Sequence, residues 1–237
     1  MAKTVLVTGG SGGIGAACCV LFAEKGYNVV MNYNKNADKA RELSEKYGCF
    51  PVKADITKMD EVCAMTDAAV KRFGHIDVLV NNAGVARQLL FADIDEEEWD
   101  RVFNVNVKGM YFAVKSVLPD MIQRKRGSII NISSVWGLTG ASCETHYSAS
   151  KGAVIAFTKA LAKETALSGI SVNCVAPGVI DTEMNSSFSE EDMEYIYDMI
   201  PAGRIGTPEE VAECVYFLAG AGYITGQVIS PNGGMLT

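Results

Sequence analysis

Short apolar runs alternate with helical stretches along the 237 residues of the chain. The apolar runs indicate strands, at 4–7, 28–33, 50–55, 76–84, 128–134, 170–178 and 226–234. The helical stretches are 13–24, 37–47, 59–74, 96–125 (one helix or two), 147–167 and 208–220. Strands that alternate with helices form βαβ units, in which helices cover both faces of a parallel sheet. Since no linker interrupts the pattern, we expect an α/β fold made of one doubly wound domain, residues 1–237.

Composition narrows the possible partners. The formal net charge of −7 disfavours a nucleic-acid partner, which would require a basic surface. No apolar run is long enough to span a bilayer, and the first strand begins too early to leave room for a secretory signal. Seven cysteines without a C-x-x-C pair, and only two histidines, predict reduced thiols and no metal site. We therefore expect a cytoplasmic protein without a membrane partner.

A glycine-rich stretch, "TGGSGGIG" at 8–15, follows the first strand and opens the first helix. It fits G-x-x-x-G-x-G through Gly9, Gly13 and Gly15, and G-x-G-x-x-G through Gly10, Gly12 and Gly15. Glycines let a backbone approach a pyrophosphate, and a helix N-terminus supplies amide donors to it. No Gly-Lys-Ser/Thr follows, so a dinucleotide is favoured over a mononucleotide.

The end of the second strand indicates which dinucleotide binds. Folds that bind NAD place an acid near this point to hold the ribose hydroxyls, but here the sequence is "NYNKN" at 32–36. Asn34 occupies the expected position and Lys35 follows it. Amide and ammonium groups can donate hydrogen bonds to a 2′-phosphate, which favours NADP(H). The alternative is that Lys35 is an ordinary solvated lysine.

Tyr147 and Lys151 are four residues apart at the start of a helical stretch and therefore share one face. A nearby cation lowers the pKa of a phenol, which can then exchange its proton with a carbonyl or alcohol oxygen. Ser134, at a strand end, could donate to the same oxygen. Taken alone, such a Tyr–Lys pair is usually an ordinary pair of surface neighbours.

Taken together, these motifs resemble the short-chain dehydrogenase/reductase family along essentially the whole chain. The matching stretches are "TGGSGGIG" (8–15), "NNAG" (81–84), "NVNVKG" (104–109), "SS" (133–134), "YSASK" (147–151) and "APG" (176–178). The resemblance implies a Rossmann fold with strand order 3-2-1-4-5-6-7, the G-x-x-x-G-x-G register and a homotetramer. The stripe of small residues Ala149, Gly152, Ala153 and Ala156 would suit an interface or packing on the sheet.

The resemblance also implies roles for individual residues. Tyr147 would donate a proton to the substrate carbonyl and Ser134 would polarise that carbonyl. Lys151 would lower the pKa of Tyr147 and hold the nicotinamide ribose, and Asn106 would keep a water in a proton relay. The implied cofactor contacts are Gly9, Ser11, Gly12, Gly13, Ile14, Gly15, Asn34, Lys35, Asp55, Ile56, Asn82, Ala83, Gly84, Tyr147, Lys151, Pro177, Gly178, Ile180 and Thr182.

Within the family the chain is most similar to 3-oxoacyl-[acyl-carrier-protein] reductases, through the stretches 169–184, 200–219 and 223–235. This implies NADPH-dependent reduction of a 3-oxoacyl thioester, with a mobile substrate lid at 181–200. Arg124, Lys125 and Arg126 would contact an acidic carrier protein, or simply complement a helix C-terminus. Ser168 and His146 depart from the residues usual in these reductases. Two alternatives stay open: a dehydrogenase of another ketone or alcohol, such as a steroid, sugar or small diketone, and a non-catalytic dinucleotide-binding regulator.

Overall fold

A computed structural model describes residues 2–183 and 190–237 of the chain. Within those residues a parallel sheet of seven strands has the order β3-β2-β1-β4-β5-β6-β7, which confirms the predicted fold class and topology. The strands are β1 Thr4–Val7, β2 Asn28–Tyr33, β3 Phe50–Lys53, β4 Val78–Asn81, β5 Gly127–Ile132, β6 Ile170–Val175 and β7 Val228–Ile229.

Several strands end earlier than their apolar runs predict. The expected strand 170–178 stops at Val175, before Pro177 and Gly178, and the expected strand 226–234 pairs only over Val228–Ile229. Proline cannot donate to the sheet ladder, and glycine weakens a strand. The residues beyond the strand ends form the loops at the carboxyl edge of the sheet, where doubly wound folds bind their ligands.

Helices cover both faces of the sheet. They are α1 Gly13–Glu24, α2 Ala37–Tyr47, α3 Met59–Phe73, α4 Glu96–Phe103, α5 Met110–Arg124, α6 Trp136–Thr139, α7 Thr145–Thr165, α8 Glu190–Met199 and α9 Pro208–Gly220. α6 was not expected from the sequence. No helix of the described residues combines the length and apolarity needed to cross a bilayer.

The expected stretch 96–125 forms two helices that a π-helical turn at Asn104–Gly109 joins without a break. The turn contains the "NVNVKG" motif. Such widened turns are rare and occur mainly inside longer helices, frequently at functional sites. Here the turn presents Asn106 to the interior, where only 3% of its surface is exposed.

The core has two halves, one on each face of the sheet. Val5 and Val7 of β1 pack with Phe22 of α1 on one face. Leu6 lies between them in sequence and packs with Met121 of α5 on the other face. Because successive strand residues point to opposite faces, both layers of helices anchor β1, and the loop after it begins from a rigid position.

Candidate active site

The backbone of the loop after β1 requires glycine at three positions. Gly9 and Gly13 have φ values of +62° and +50°, in the left-handed region that favours glycine. A Cβ atom on Gly15 would lie 2.3 Å from the Gly9 carbonyl oxygen. By contrast, Gly12 is extended and has no atom within 4 Å of a Cβ position. The geometry therefore matches the G-x-x-x-G-x-G register.

A network of polar side chains holds this loop in place. The Asn82 amide donates to the carbonyl oxygens of Thr8 and Gly9, each at 3.0 Å. The Thr8 hydroxyl accepts from the backbone N–H groups of Asn82 and Ala83 at 3.0 and 3.1 Å. On the other side, Gly9 N–H donates to Asn32 Oδ1 at 3.2 Å. These hydrogen bonds tie the loop to the end of β2 and to the segment after β4.

Sequence reasoning missed Thr8 and Asn32. Asn32 is 2% exposed, and its amide also donates to the Ala54 carbonyl oxygen at 3.0 Å. The polar Asn32 between the apolar residues of the strand "NVVMNY" was the available signal, because a buried amide must find hydrogen-bond partners.

The residues expected to contact adenosine follow β2 and β3, which are neighbours in the sheet. Asn34 and Lys35 are exposed. Burial raises the pKa of Asp55, but hydrogen bonds from Thr57 and the charges of Lys58 and Lys35 outweigh it and leave the pKa below its ordinary value. Lys35 is therefore close enough to Asp55 to act on it electrostatically.

Tyr147 and Lys151 lie one turn apart in α7 and are both buried, at 8% and 4% exposure. The Lys151 ammonium lies 5.6 Å from the centre of the Tyr147 ring and donates to the Ile132 carbonyl oxygen at 2.9 Å. Burial lowers the pKa of Lys151 to about 8, because an apolar environment disfavours the charged form.

The acidity of Tyr147 differs from the expectation. Burial raises its pKa to about 12, although a hydrogen bond with Ser134 acts in the opposite direction. The expected lowering by Lys151 is not seen in this geometry, because the loss of solvent around the phenol is the dominant effect. Ser134 follows the end of β5, and its Oγ accepts from the Trp136 N–H at 3.2 Å, so the serine is oriented from the first turn of α6.

Asn106 joins the π turn to the loop after β4. Its Oδ1 accepts from Val85 N–H at 2.8 Å, and its amide donates to the Val85 carbonyl oxygen at 2.9 Å and to Ser150 Oγ at 3.0 Å. Gly84 lies between two site residues: a Cβ there would be 3.3 Å from Lys151 Nζ and 3.4 Å from Asn106 Oδ1. The four residues expected to be catalytic thus belong to one buried cluster, along with Gly84.

The segment after β6 lies beside the loop that follows β5, at the carboxyl edge of the sheet. The Pro177 carbonyl oxygen accepts from Val135 N–H at 2.9 Å, which ties this segment to the residue after Ser134. Thr182 reaches the glycine loop, because its methyl carbon would lie 3.1 Å from a Cβ on Gly13. The remaining expected cofactor residues also lie at this edge: Ser11, Gly12 and Ile14 at the start of α1, Ile56 after β3, and Gly178 and Ile180 after β6.

Two expected features fall elsewhere. The lid 181–200 is described only at 181–183 and from α8 onward, and residues 184–189 lie outside the described residues. The basic stretch 124–126 lies before β5, at the sheet edge opposite Ser134. Arg124 there is 18% exposed and binds Asp77 and Asp120 at 3.2 and 2.8 Å.

His146, next to Tyr147, is completely buried, and its Nε2 lies 3.5 Å from Glu98 Oε1. Glu98, in α4, also accepts two hydrogen bonds from Arg101, at 2.8 and 2.7 Å, and this pairing is the main reason that its pKa lies below the ordinary value. Sequence reasoning missed Glu98. His146 thus brings the start of α7 close to α4, although neither of its ring nitrogens has a hydrogen-bond partner among the described residues.

Comparison with known proteins agrees with this geometry. A family model described as short chain dehydrogenase matches residues 3–193. Proteins named 3-oxoacyl-[acyl-carrier-protein] reductase FabG are similar over nearly their full lengths. The one from Staphylococcus aureus strain Mu50 is 43% identical, over 99% of this chain and 98% of its own. The one from Chlamydia trachomatis serovar D is 44% identical, over 98% and 97% respectively. The chain belongs to the short-chain dehydrogenase family.

Proposed function

We propose that the protein is an NADPH-dependent oxidoreductase that reduces a 3-oxoacyl thioester to the 3-hydroxyacyl thioester. The observation that carries this proposal is the buried cluster of Ser134, Tyr147, Lys151 and Asn106 beside a preformed glycine loop. The names of relatives that are 43% and 44% identical over the whole chain support the substrate class.

The cofactor cradle fits a dinucleotide phosphate. The backbone at Gly12 is open, and it lies at the N-terminus of α1, where amide donors and the helix dipole favour a pyrophosphate. The residues directly after β2, at 34–36, include no acid, and Asn34 and Lys35 are exposed where the adenosine ribose would lie. When bound, NADPH supplies the hydride. Replacing Lys35 by Ala should therefore reduce the preference for NADPH over NADH about tenfold, since a 2′-phosphate contact is lost.

The chain's own contribution is to handle the proton. In reduction the hydroxyl of Tyr147 gives its proton to the carbonyl oxygen, and its raised pKa keeps it protonated at neutral pH until then. Ser134 donates a hydrogen bond to the same oxygen and stabilises the negative charge that develops on it. Lys151 would bind the nicotinamide ribose. Asn106 would keep a water in a relay that returns a proton to Tyr147.

The test is an initial-rate matrix for NADPH and NADH against acetoacetyl-CoA, an acetoacetyl carrier protein, and a panel of steroid and small ketones. Tyr147→Phe should lose at least a hundredfold in turnover, the scale of general acid catalysis, and should still bind NADPH. Tyr223→Phe is the matched control, since Tyr223 is fully exposed. Turnover confined to another ketone would redirect the substrate assignment, and unchanged turnover in Tyr147→Phe would contradict the mechanism.

The carrier-protein contact at residues 124–126 stays a prediction. Since Arg124 is held by Asp77 and Asp120, Lys125 and Arg126 are the residues to test, by reversing both charges and measuring KM for the carrier-linked substrate. An unchanged KM would show that these residues only complement the C-terminus of the helix α5.

The four small residues of α7 lie on one face, and Ala149 and Ala156 are exposed in the single chain, which supports a homotetramer. All seven cysteines are free thiols, which supports the cytoplasm as its location.

A further inference from the structure

Glu144 is an acidic side chain beside the proposed proton donor. It is the residue before α7, three positions ahead of Tyr147, and it is half-buried. Residues three apart at the start of a helix lie on one side of it. The negative charge of Glu144 also acts on the Tyr147 phenol and contributes to its raised pKa, after burial.

The carboxylate is not explained by helix capping or by an ion pair. Glu144 makes no side-chain capping bond to α7. Its one hydrogen-bond partner among the described residues is the Gln88 amide, at a long 3.4 Å. Burial raises the pKa of Glu144 and the bond from Gln88 lowers it, with no cation contributing. A half-buried carboxylate without a cation lowers the stability of the fold. This cost indicates that Glu144 has a role other than stabilising the fold.

The surrounding contacts place Glu144 where two loops meet. Leu89 N–H donates to the Cys143 carbonyl oxygen at 2.8 Å, and Gln88 bonds to Glu144 beside it. One loop follows β4 and contains Gly84 of the buried cluster, and the other leads from Ser134 to Tyr147. Glu144 thus lies where these two loops meet, three residues before Tyr147 and close enough for its charge to act on the Tyr147 phenol.

We propose that Glu144 is a specificity-determining residue, which admits the neutral thioester of a 3-oxo acid and rejects the free acid. In a 3-oxoacyl compound, C1 lies two bonds from the ketone carbon, whose oxygen would accept the proton of Tyr147. If C1 is a thioester, that position is neutral. If C1 is a free carboxylate, it brings a second negative charge toward Glu144, and like charges in a partly desolvated site repel strongly. This inference rests on the proposed function.

The experiment compares acetoacetamide with acetoacetate, which share the ketone and nearly the same shape but differ in charge at C1. The readout is the ratio of their kcat/KM values at pH 8, or of their inhibition constants against acetoacetyl-CoA where turnover is too slow. The native protein should prefer acetoacetamide, and Glu144→Gln should reduce that preference about tenfold, which corresponds to about 1.4 kcal/mol. Any effect of Glu144 on the pKa of Tyr147 would change both rates together, so the ratio isolates the direct repulsion.

Two further variants make the comparison strict. Glu164→Gln removes an exposed acid from the same helix, about 30 Å away along its axis, and should leave the ratio unchanged. Glu144→Asp keeps the charge and should keep the preference. A ratio in Glu144→Gln equal to that of the native protein would overturn the inference while acetoacetyl-CoA is still reduced. If the native protein reduces neither acetoacetyl-CoA nor the acetoacetyl carrier protein, the proposed function fails, and this inference fails with it.

Discussion

Replacing Gly15 by Ala tests whether the glycine loop is rigid as the structure describes it. The added Cβ would lie 2.3 Å from the Gly9 carbonyl oxygen and 2.4 Å from Asn82 Nδ2. These two atoms are hydrogen-bonded to each other at 3.0 Å. The substitution must therefore push apart a bonded pair by about 1 Å to reach ordinary van der Waals contact.

The cost follows from two effects. Overpacking of a tight site costs about 1–3 kcal/mol, and loss of the hydrogen bond between Asn82 and Gly9 adds about 1 kcal/mol. Alanine is the better helix former by about 0.5–1 kcal/mol, which offsets part of this. We expect the free energy of unfolding to fall by about 1–3.5 kcal/mol, measured by urea unfolding of the cofactor-free protein with no change in the denaturant slope.

Gly12→Ala is the matched control, because its φ of −159° suits any residue and no atom lies within 4 Å of the new Cβ. Its stability should stay within about 0.5 kcal/mol of the native value. Its affinity for NADPH should nevertheless fall, since the methyl group occupies the open side of the loop. Equal stability losses in the two variants, or a loss below about 0.5 kcal/mol for Gly15→Ala, would refute this description of the loop.

Two further predictions concern charged groups. Since burial lowers the pKa of Lys151 to about 8, its ammonium is lost as the pH rises through that value, whereas Tyr147, with a pKa of about 12, keeps its proton. The kcat for reduction should therefore fall above about pH 8 in a rate profile from pH 6 to 10, and a flat profile would show that the ammonium is not needed. Arg124→Ala removes the hydrogen bonds that Arg124 donates to Asp77 and Asp120 and should lower the free energy of unfolding by about 2 kcal/mol in a urea titration. Because Arg124 lies at the edge opposite the cleft, kcat should not change, and a parallel loss of kcat would contradict that placement.

The order of the elements and the position of the cleft could be predicted from the sequence, because both depend on periodicity and on where strands end. The apolar runs overstated the strands at their carboxyl ends, as at 76–84, where pairing covers only Val78–Asn81. Hydrophobicity shows what is buried, but it does not show which buried backbone pairs with a neighbour. The π turn was missed for a related reason, since helical periodicity does not report a single widened turn.

The contacts that fix the site could not be predicted, because they join residues far apart in the chain. Asn32 is 23 residues from Gly9, and Asn82 is 73 residues from it. Glu98 meets His146 across two helices. In the sequence Glu98 and His146 look like ordinary helix residues, and only Asn32, a polar residue within an apolar strand, signals a buried contact. Their burial, and therefore their need for partners, follows only once the sheet order is established.

The protonation states of Tyr147 and Lys151 depend on burial, which their spacing in the sequence does not report. Proximity of Tyr147 and Lys151 predicts a lowered phenol pKa, because a cation favours a phenolate. In the structure both groups are buried, and burial shifts each of them toward its neutral form: the pKa of the phenol rises to about 12 and that of the amine falls to about 8. A phenol that keeps its proton is prepared to act as an acid, which is what reduction of a carbonyl requires. The reverse reaction needs the phenolate, which burial of Tyr147 disfavours. At neutral pH Tyr147 is therefore in the protonation state that reduction of a carbonyl requires.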